Sequence, residues 1–167
     1  MATVAQRTHV AAVLTMLQAH AGQLDYPPGD QRDSRDTASW ALTEQSCEYI
    51  LSAPSGRVQW DCSEFCPWVL KCAGLWRLSE PGYTGSHLAL LPHYTDARQA
   101  LTGALIVFGP GSGHHEAIVW KPDPVKGNPI LASHGRPGFD RVTLSELAAS
   151  QAAEGYPGVT LLSRAHV

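Results

Sequence analysis

The sequence Asp61-Cys62-Ser63-Glu64-Phe65 opens an apolar run that continues through Trp68, Val69, Leu70 and Leu75. Asp61 or Ser63 can cap a helix here, because either side chain accepts a hydrogen bond from a backbone N–H of the first turn. The Cys62 sulfur is then predicted to lie at the positive end of the helix, where a thiol loses its proton more readily. A cysteine by itself is more often a small buried hydrophobe. The prediction of a reactive thiol therefore depends on the partners that the rest of the chain supplies.

The order of predicted elements indicates an α+β fold. Apolar residues at helical spacing predict helices over 4–20, 37–51 and 62–73, and Pro67 is expected to make the first turn of the third irregular or late. A surface loop is predicted over 26–36, and a loop with one short helical turn near 88–91 is predicted over 81–94. Short apolar runs predict strands over 104–108, 115–120, 129–134 and 158–163, and a capping box at Thr143 predicts a helix through 152. Helices followed by a small antiparallel sheet favour one domain over 1–167.

Composition excludes several classes of protein. Of the 167 residues, 44% are hydrophobic and 16% are charged, and the net charge is −3. This charge gives no footprint for nucleic acid or for acidic membranes. The first twenty residues lack the form of a signal peptide, and no stretch is long enough to span a bilayer. The four cysteines, Cys47, Cys62, Cys66 and Cys72, are too few and too clustered for a disulfide scaffold, which favours a reducing compartment.

Two histidines lie in the strands of a predicted hairpin whose turn covers 121–128, one where the first strand begins and one where the second strand ends. In such a hairpin His115 is expected to lie opposite His134, on an otherwise apolar face that packs against the Cys62 helix. Glu116 would point to the other face by alternation. The register assumed here pairs His115 with His134, Ala117 with Ala132 and Val119 with Ile130, and it sends Ile118 and Trp120 to the same side as Glu116.

A thiol and two imidazoles in one line have the form of nucleophile, base and orienter. Cys62 would be the nucleophile, His115 would take its proton and later protonate the leaving amine, and His134 would fix the tautomer of His115. The backbone N–H of Cys62 is a natural oxyanion donor. Trp60 is either a core residue or one wall of a substrate cleft.

The competing chemistry is a zinc site. Cys62, Cys66, His114 and His115 are its candidate ligands, but their spacing is unusual for structural zinc. The glycine-rich segment 109–113 has neither a lysine nor a following helix, so a phosphate-binding loop is not expected. We therefore expect no metal and no other cofactor.

Three segments of the chain resemble a known family. Asp61-Cys62-Ser63-x-Phe65-x-x-Trp68-Val69 resembles the nucleophile motif of the NlpC-type cell-wall cysteine peptidases, within the papain-like superfamily. Segments 103–108 and 113–119 resemble the strand pair that carries the family's histidine, and 133–135 resembles the stretch with its third catalytic residue. The resemblance covers about 58–140, and the variant is most similar to peptidase domains of bacteriophage endolysins.

This resemblance implies a papain-like fold that hydrolyses an amide bond in the stem peptide or cross-bridge of bacterial peptidoglycan. It also implies that Asp61 and Ser63, with an upstream tyrosine, bind the amino end of the substrate. Tyr49 lies nearest the usual distance of that tyrosine. Glu64 departs from the family's small residue and is expected to oppose thiolate formation, and Ala104 replaces the family's aspartate.

A phage enzyme without a signal peptide would be made in the host cytoplasm and would act on the cell wall after release. Two alternatives stay open. One is an N-acetylmuramoyl-L-alanine amidase of the CHAP type. The other is a catalytically inactive domain that binds the wall or forms part of a virion.

Overall fold

The computed structural model describes residues 2–27 and 39–162. Its helices are α1 (Val4–Ala19), α2 (Glu44–Ser52), α3 (Cys62–Cys72), α4 (Thr84–Leu90) and α5 (Leu144–Ala153). Its strands are β1 (Leu24–Asp25), β2 (Val58–Gln59), β3 (His93–Tyr94), β4 (Leu105–Phe108), β5 (His115–Lys121), β6 (Ile130–Gly135), β7 (Gly138–Thr143) and β8 (Val159–Leu162). Single 3-10 turns occur at Ala21–Gln23 and Ala97–Gln99.

The larger sheet is antiparallel, with strand order β3-β8-β4-β5-β6-β7, while β1 and β2 form a separate parallel pair. The α+β class is thus confirmed. The elements predicted around 4–20, 62–73, 104–108, 115–120, 129–134 and 143–152 are present with ends shifted by one or two residues. β7 and the short strands β1, β2 and β3 were not predicted.

Both faces of the larger sheet are covered by helices. One face packs against α1 and α3 and is called the α3 face. The other packs against α5 and is called the α5 face. Alternation along each strand divides the apolar side chains between the two cores. Residues of the α3 face include Leu105, Val107, Ile118, Trp120, Ala132 and Leu162, and those of the α5 face include Ile106, Phe108, Ala117, Val119, Leu131 and Leu161.

The start of α3 is regular, so the expectation of a late or irregular first turn is wrong. The backbone N–H of Glu64 donates to Asp61 Oδ1 over 2.8 Å, and the N–H of Asp61 donates to Glu64 Oε2 over 3.3 Å. These reciprocal bonds form a capping box that fixes the helix from Cys62 onward. Pro67 is the sixth helical residue, and its missing N–H removes only the bond to the carbonyl of Ser63.

Two other helix predictions had wrong boundaries. α2 begins at Glu44 behind the cap Thr43, whose Oγ1 accepts from the N–H of Ser46 over 3.1 Å, so the predicted start at 37 is too early. The predicted loop 26–36 lies mostly outside the described residues. α4 begins at Thr84, earlier than the turn predicted near 88–91.

The predicted register of β5 against β6 is wrong. Ala117 pairs with Ser133 and Val119 with Leu131, but Lys121 pairs with Ile130, so β5 has one extra residue at Trp120. A bulge of this kind changes which side chains share a face. Glu116, Ile118 and Trp120 therefore lie on the α3 face, which the sequence assigned to His115, Ala117 and Val119.

Candidate active site

Cys62 lies at the first position of α3 and is 5% exposed. Two hydrogen-bond donors meet its sulfur, the backbone N–H of Glu116 on β5 and the side-chain hydroxyl of Tyr26. Tyr26 follows β1, and β1 pairs with β2, the strand that leads into α3. The parallel pair therefore brings Tyr26 to the sulfur, and both donors favour the thiolate.

The pKa of Cys62 is nevertheless high, which contradicts the expectation of an easily ionised thiol. This pKa is raised from 9.0 to about 12: burial is the largest cause, the carboxylates of Asp61 and Glu116 add to the rise, and the two donors oppose it. Such a rise corresponds to roughly 4 kcal/mol. The helix terminus contributes only about 0.3–1 kcal/mol at ordinary sites, so desolvation dominates.

The polar residues around Cys62 are used in the cap. Ser63 Oγ donates to Asp61 Oδ1 over 2.9 Å, beside the bond from the N–H of Glu64 to the same oxygen. Glu64 is 1% exposed and its carboxylate accepts from the N–H of Asp61. The sequence predicts that Glu64 opposes the thiolate, whereas the carboxylates that raise the pKa of Cys62 are those of Asp61 and Glu116.

His134 lies on the α3 face, fully buried, with its ring 5.4 Å from that of Phe65 and 5.9 Å from that of Tyr26. Its Nε2 is 3.0 Å from the backbone oxygen of Asp25. Because a carbonyl only accepts, Nε2 carries the hydrogen and Nδ1 keeps a lone pair. Nδ1 is buried without a hydrogen-bond partner within the described ranges. Burial lowers the pKa of His134, against the backbone groups of Asp25 and Trp60, so the neutral form is favoured.

His115 does not share this environment. It lies on the α5 face, with Nε2 2.8 Å from Ser133 Oγ and its ring 6.2 Å from that of Phe108. Burial lowers its pKa to about 4, helped by the nearby imidazoles of His114 and His134. The expected alignment of His115 with His134 beside Cys62 is therefore wrong in its geometry, because the bulge in β5 places the two side chains on opposite faces.

A buried pair next to Cys62 was missed from the sequence. His87 Nδ1 on α4 lies 2.6 Å from Glu116 Oε2, and both side chains are fully buried. His87 Nε2 is 2.7 Å from the carbonyl oxygen of Pro81. His87 falls in a segment predicted as mostly loop, so nothing marked it. The one available signal was Glu116 itself, a charged residue within an apolar strand.

Two predicted substrate contacts are placed elsewhere. Trp60 is 0% exposed and packs on Trp68 and Phe65, with ring centres 4.7 and 6.1 Å away. It is a core residue and not the wall of an open cleft. Tyr49 lies on α2 and is 81% exposed, and the tyrosine that meets the thiol is Tyr26.

The candidate zinc ligands do not form a cluster. His114 stacks on Tyr156 with ring centres 3.4 Å apart, while Cys62 and Cys66 are buried free thiols. Over residues 2–27 and 39–162, no group of three His, Cys, Asp or Glu side chains is arranged to hold a metal ion. None of the helices in these ranges is both long and apolar enough to cross a membrane.

The arrangement combines a thiol at a capped helix start, two donors to its sulfur and a neutral imidazole on the same side of the sheet. These groups are suited to nucleophilic attack on a carbonyl carbon. Neither a scan against protein-family models nor a search of curated proteins finds a match to this chain.

Proposed function

We propose that the protein is a thiol hydrolase that cleaves an amide bond in the peptide part of bacterial peptidoglycan, with Cys62 as the nucleophile. The observation that carries the chemistry is the position of the sulfur, at the start of α3 with the Tyr26 hydroxyl and the Glu116 N–H bonded to it. The substrate class is supported by the resemblance of 61–69, 113–119 and 133–135 to cell-wall peptidases.

His134 is the base in this proposal, in place of His115. It projects from the α3 face, and Tyr26 contacts both its ring and the Cys62 sulfur. The backbone oxygen of Asp25 holds Nε2, which leaves the lone pair of Nδ1 as the acceptor site. The backbone carbonyl of Asp25 thus orients the imidazole of the base, a role that the sequence assigned to a second histidine.

The reaction has two balanced steps. The thiol proton passes to His134 Nδ1 as the sulfur attacks the carbonyl carbon, and the C–N bond breaks when the imidazolium protonates the leaving amine. Water then attacks the thioester, its proton returns to the sulfur by way of the imidazole, and a carboxylic acid is released. The backbone N–H of Cys62, in the first turn of α3, is placed to bind the oxyanion.

Mass spectrometry of digested bacterial peptidoglycan tests the proposal, with wild type and Cys62→Ser compared. We expect new peptide termini from the wild type and at least about a thousandfold slower release from Cys62→Ser. New ends between amino acids support an endopeptidase, whereas a freed lactyl carboxyl indicates the amidase alternative. Unchanged cleavage by Cys62→Ser would remove Cys62 as the nucleophile.

The choice of base is tested with matched histidine variants. We expect His134→Gln to slow cleavage by about a hundredfold or more, because general-base assistance is lost. His115→Gln should retain most activity, because its amide can keep the bond to Ser133 and its side chain faces α5. Circular dichroism of both variants is the check that they fold. The reverse ranking of the two variants would restore His115 as the base.

Burial of Cys62 favours a second candidate, a non-catalytic domain that binds the wall. A thiol that is 5% exposed with a pKa near 12 has the properties of a structural cysteine. This candidate predicts that wild type and Cys62→Ser cosediment equally with purified walls and that neither releases peptide. Release by the wild type alone excludes it.

A further inference from the structure

The buried pair of His87 and Glu116 has no part in the steps above, yet it adjoins the nucleophile. His87 Nε2 faces the carbonyl oxygen of Pro81 over 2.7 Å and therefore carries a hydrogen. The 2.6 Å contact between His87 Nδ1 and Glu116 Oε2 then holds one shared proton. The pair as a whole is neutral, with its carboxylate end beside the Cys62 sulfur.

Stability alone gives no reason for this pair. Replacing a buried ion pair with well-packed apolar side chains is often neutral or stabilising. The other side chains of β5 on this face, Ile118 and Trp120, are apolar, and so is Val107, the partner of Glu116 on β4. A hydrophobic residue at 116 would continue that core, so the ion pair points to a role at the site.

We propose that His87 is a positioning residue for the Cys62 thiol, because by binding the Glu116 carboxylate it fixes the backbone N–H of Glu116 against the sulfur. This inference deepens the proposed function and rests on it, since it concerns the same thiol. Glu116 Oε1 has no hydrogen-bond partner in the described part of the chain, so His87 is the group that orients the carboxylate. Glu116 also lies one residue before Ala117, the first residue of β5 that pairs with β6.

The pair acts on the thiol in two opposite ways. The Glu116 N–H stabilises the thiolate, whereas the carboxylate opposes it and raises the pKa of Cys62. The His87 imidazole offsets that negative charge. Cys62, Glu116 and His87 also interact electrostatically with three other titratable groups, which are Asp61, Tyr26 and Cys66. Removing the carboxylate and removing the imidazole should therefore shift the reactivity of Cys62 in opposite directions.

The test is the rate of Cys62 alkylation by iodoacetamide as a function of pH, followed in the full chain by peptide mass spectrometry. Glu116→Gln keeps the shape of the side chain and removes the charge. We expect its profile to move to lower pH by about one unit, which is about tenfold faster alkylation at a fixed pH below the midpoint. Burial raises the pKa of Glu116, and the His87 imidazole opposes that rise. His87→Gln is therefore compared with the wild type at alkaline pH, where the Glu116 carboxylate is ionised without its cation, and we expect about tenfold slower alkylation there.

Glu154→Gln is the matched control, because Glu154 is an exposed carboxylate at the end of α5, and its profile should equal that of the wild type. The double variant should match Glu116→Gln, since His87 acts through Glu116. If His87→Gln does not fold by circular dichroism, the double variant decides, and a profile unlike that of Glu116→Gln overturns the inference. Shifts of both single variants in one direction, or no shift in His87→Gln, also overturn it.

Alkylation needs no peptidoglycan, so this experiment separates the two proposals. Opposite shifts of the two alkylation profiles without any wall cleavage would support the positioning role of His87 and contradict the proposed hydrolase function. Wall cleavage that depends on Cys62, with alkylation profiles that do not shift, would support the hydrolase function and contradict the positioning role of His87.

Discussion

Trp60 precedes the capped start of α3, and its ring is part of the core. It contacts Trp68 and Phe65 and is fully buried. We expect Trp60→Ala to lower the free energy of unfolding by about 3–5 kcal/mol, because a large cavity replaces the indole. Tyr49→Ala is the control, since an exposed side chain away from any special contact changes stability by only about 0.5 kcal/mol.

The free energies of unfolding of Trp60→Ala and Tyr49→Ala are measured by urea unfolding at one pH. A stable Trp60→Ala protein with reduced peptidoglycan cleavage would contradict the core assignment and restore the substrate cleft. Reduced cleavage by Tyr49→Ala at unchanged stability would indicate that Tyr49 contacts the substrate, even though the tyrosine at the sulfur is Tyr26.

Residues of the candidate site were predictable to the extent that local sequence determines them. The cap at Asp61 and the place of Cys62 behind it follow from hydrogen bonds within one turn of chain. Tyr26, Glu116 and His87 meet the thiol through contacts between elements distant in sequence. No local pattern gives the packing of α4 or of the parallel pair β1–β2, so the sequence alone did not indicate these partners.

The cap of α3 links the stability of one helix to the reactivity of Cys62. Asp61→Ala removes the oxygen that accepts from the N–H of Glu64 and from Ser63, and we expect a loss of about 1 kcal/mol in the free energy of unfolding. Asp61→Asn keeps a capping oxygen, so its stability should change by only a few tenths of that. Both remove a charge that raises the pKa of Cys62, so both should alkylate faster at a fixed pH.

Thr143→Ala at the cap of α5 is the control for this pair. Thr143 Oγ1 accepts from the N–H of Glu146 in an equivalent capping box, so its loss should cost similar stability without moving the alkylation profile of Cys62. Equal alkylation by Asp61→Asn and the wild type would show that the Asp61 charge does not act on the sulfur.

Among the elements, the strands were predictable and their pairing was not. Apolar runs bounded by glycine and proline located β4, β5, β6 and β8. The extra residue at Trp120 in β5 is a matter of hydrogen bonding between strands, and the composition of the hairpin gives no sign of it. That single residue exchanged the faces of His115 and Glu116, which explains why the fold class was predicted correctly and the face on which His115 lies was not.

At the scale of the whole molecule, the buried histidines make stability depend on pH. Burial lowers the pKa of His115 from 6.5 to about 4, so between these values the unfolded chain binds a proton that the native protein does not. The free energy of unfolding must then fall as the pH drops from 6.5 to 4, by about 3 kcal/mol in total from this group. His134 acts in the same direction because its pKa is also lowered. His87 acts in the opposite direction: burial lowers its pKa, but the Glu116 carboxylate and the Pro81 carbonyl outweigh burial and raise the pKa overall.

His115→Gln isolates the first contribution. Its amide can keep the hydrogen bond to Ser133 Oγ but binds no proton, so the other acid-labile groups stay the same and the His115 contribution disappears. We expect urea unfolding between pH 4.5 and 7 to show a shallower loss of stability in the variant, by up to about 1.4 kcal/mol per pH unit near pH 5. Parallel curves for the two proteins would mean that His115 titrates alike in the folded and unfolded chains. In that case the α5 face would not bury His115 as a neutral imidazole, and the placement of the two histidines on opposite faces would be wrong.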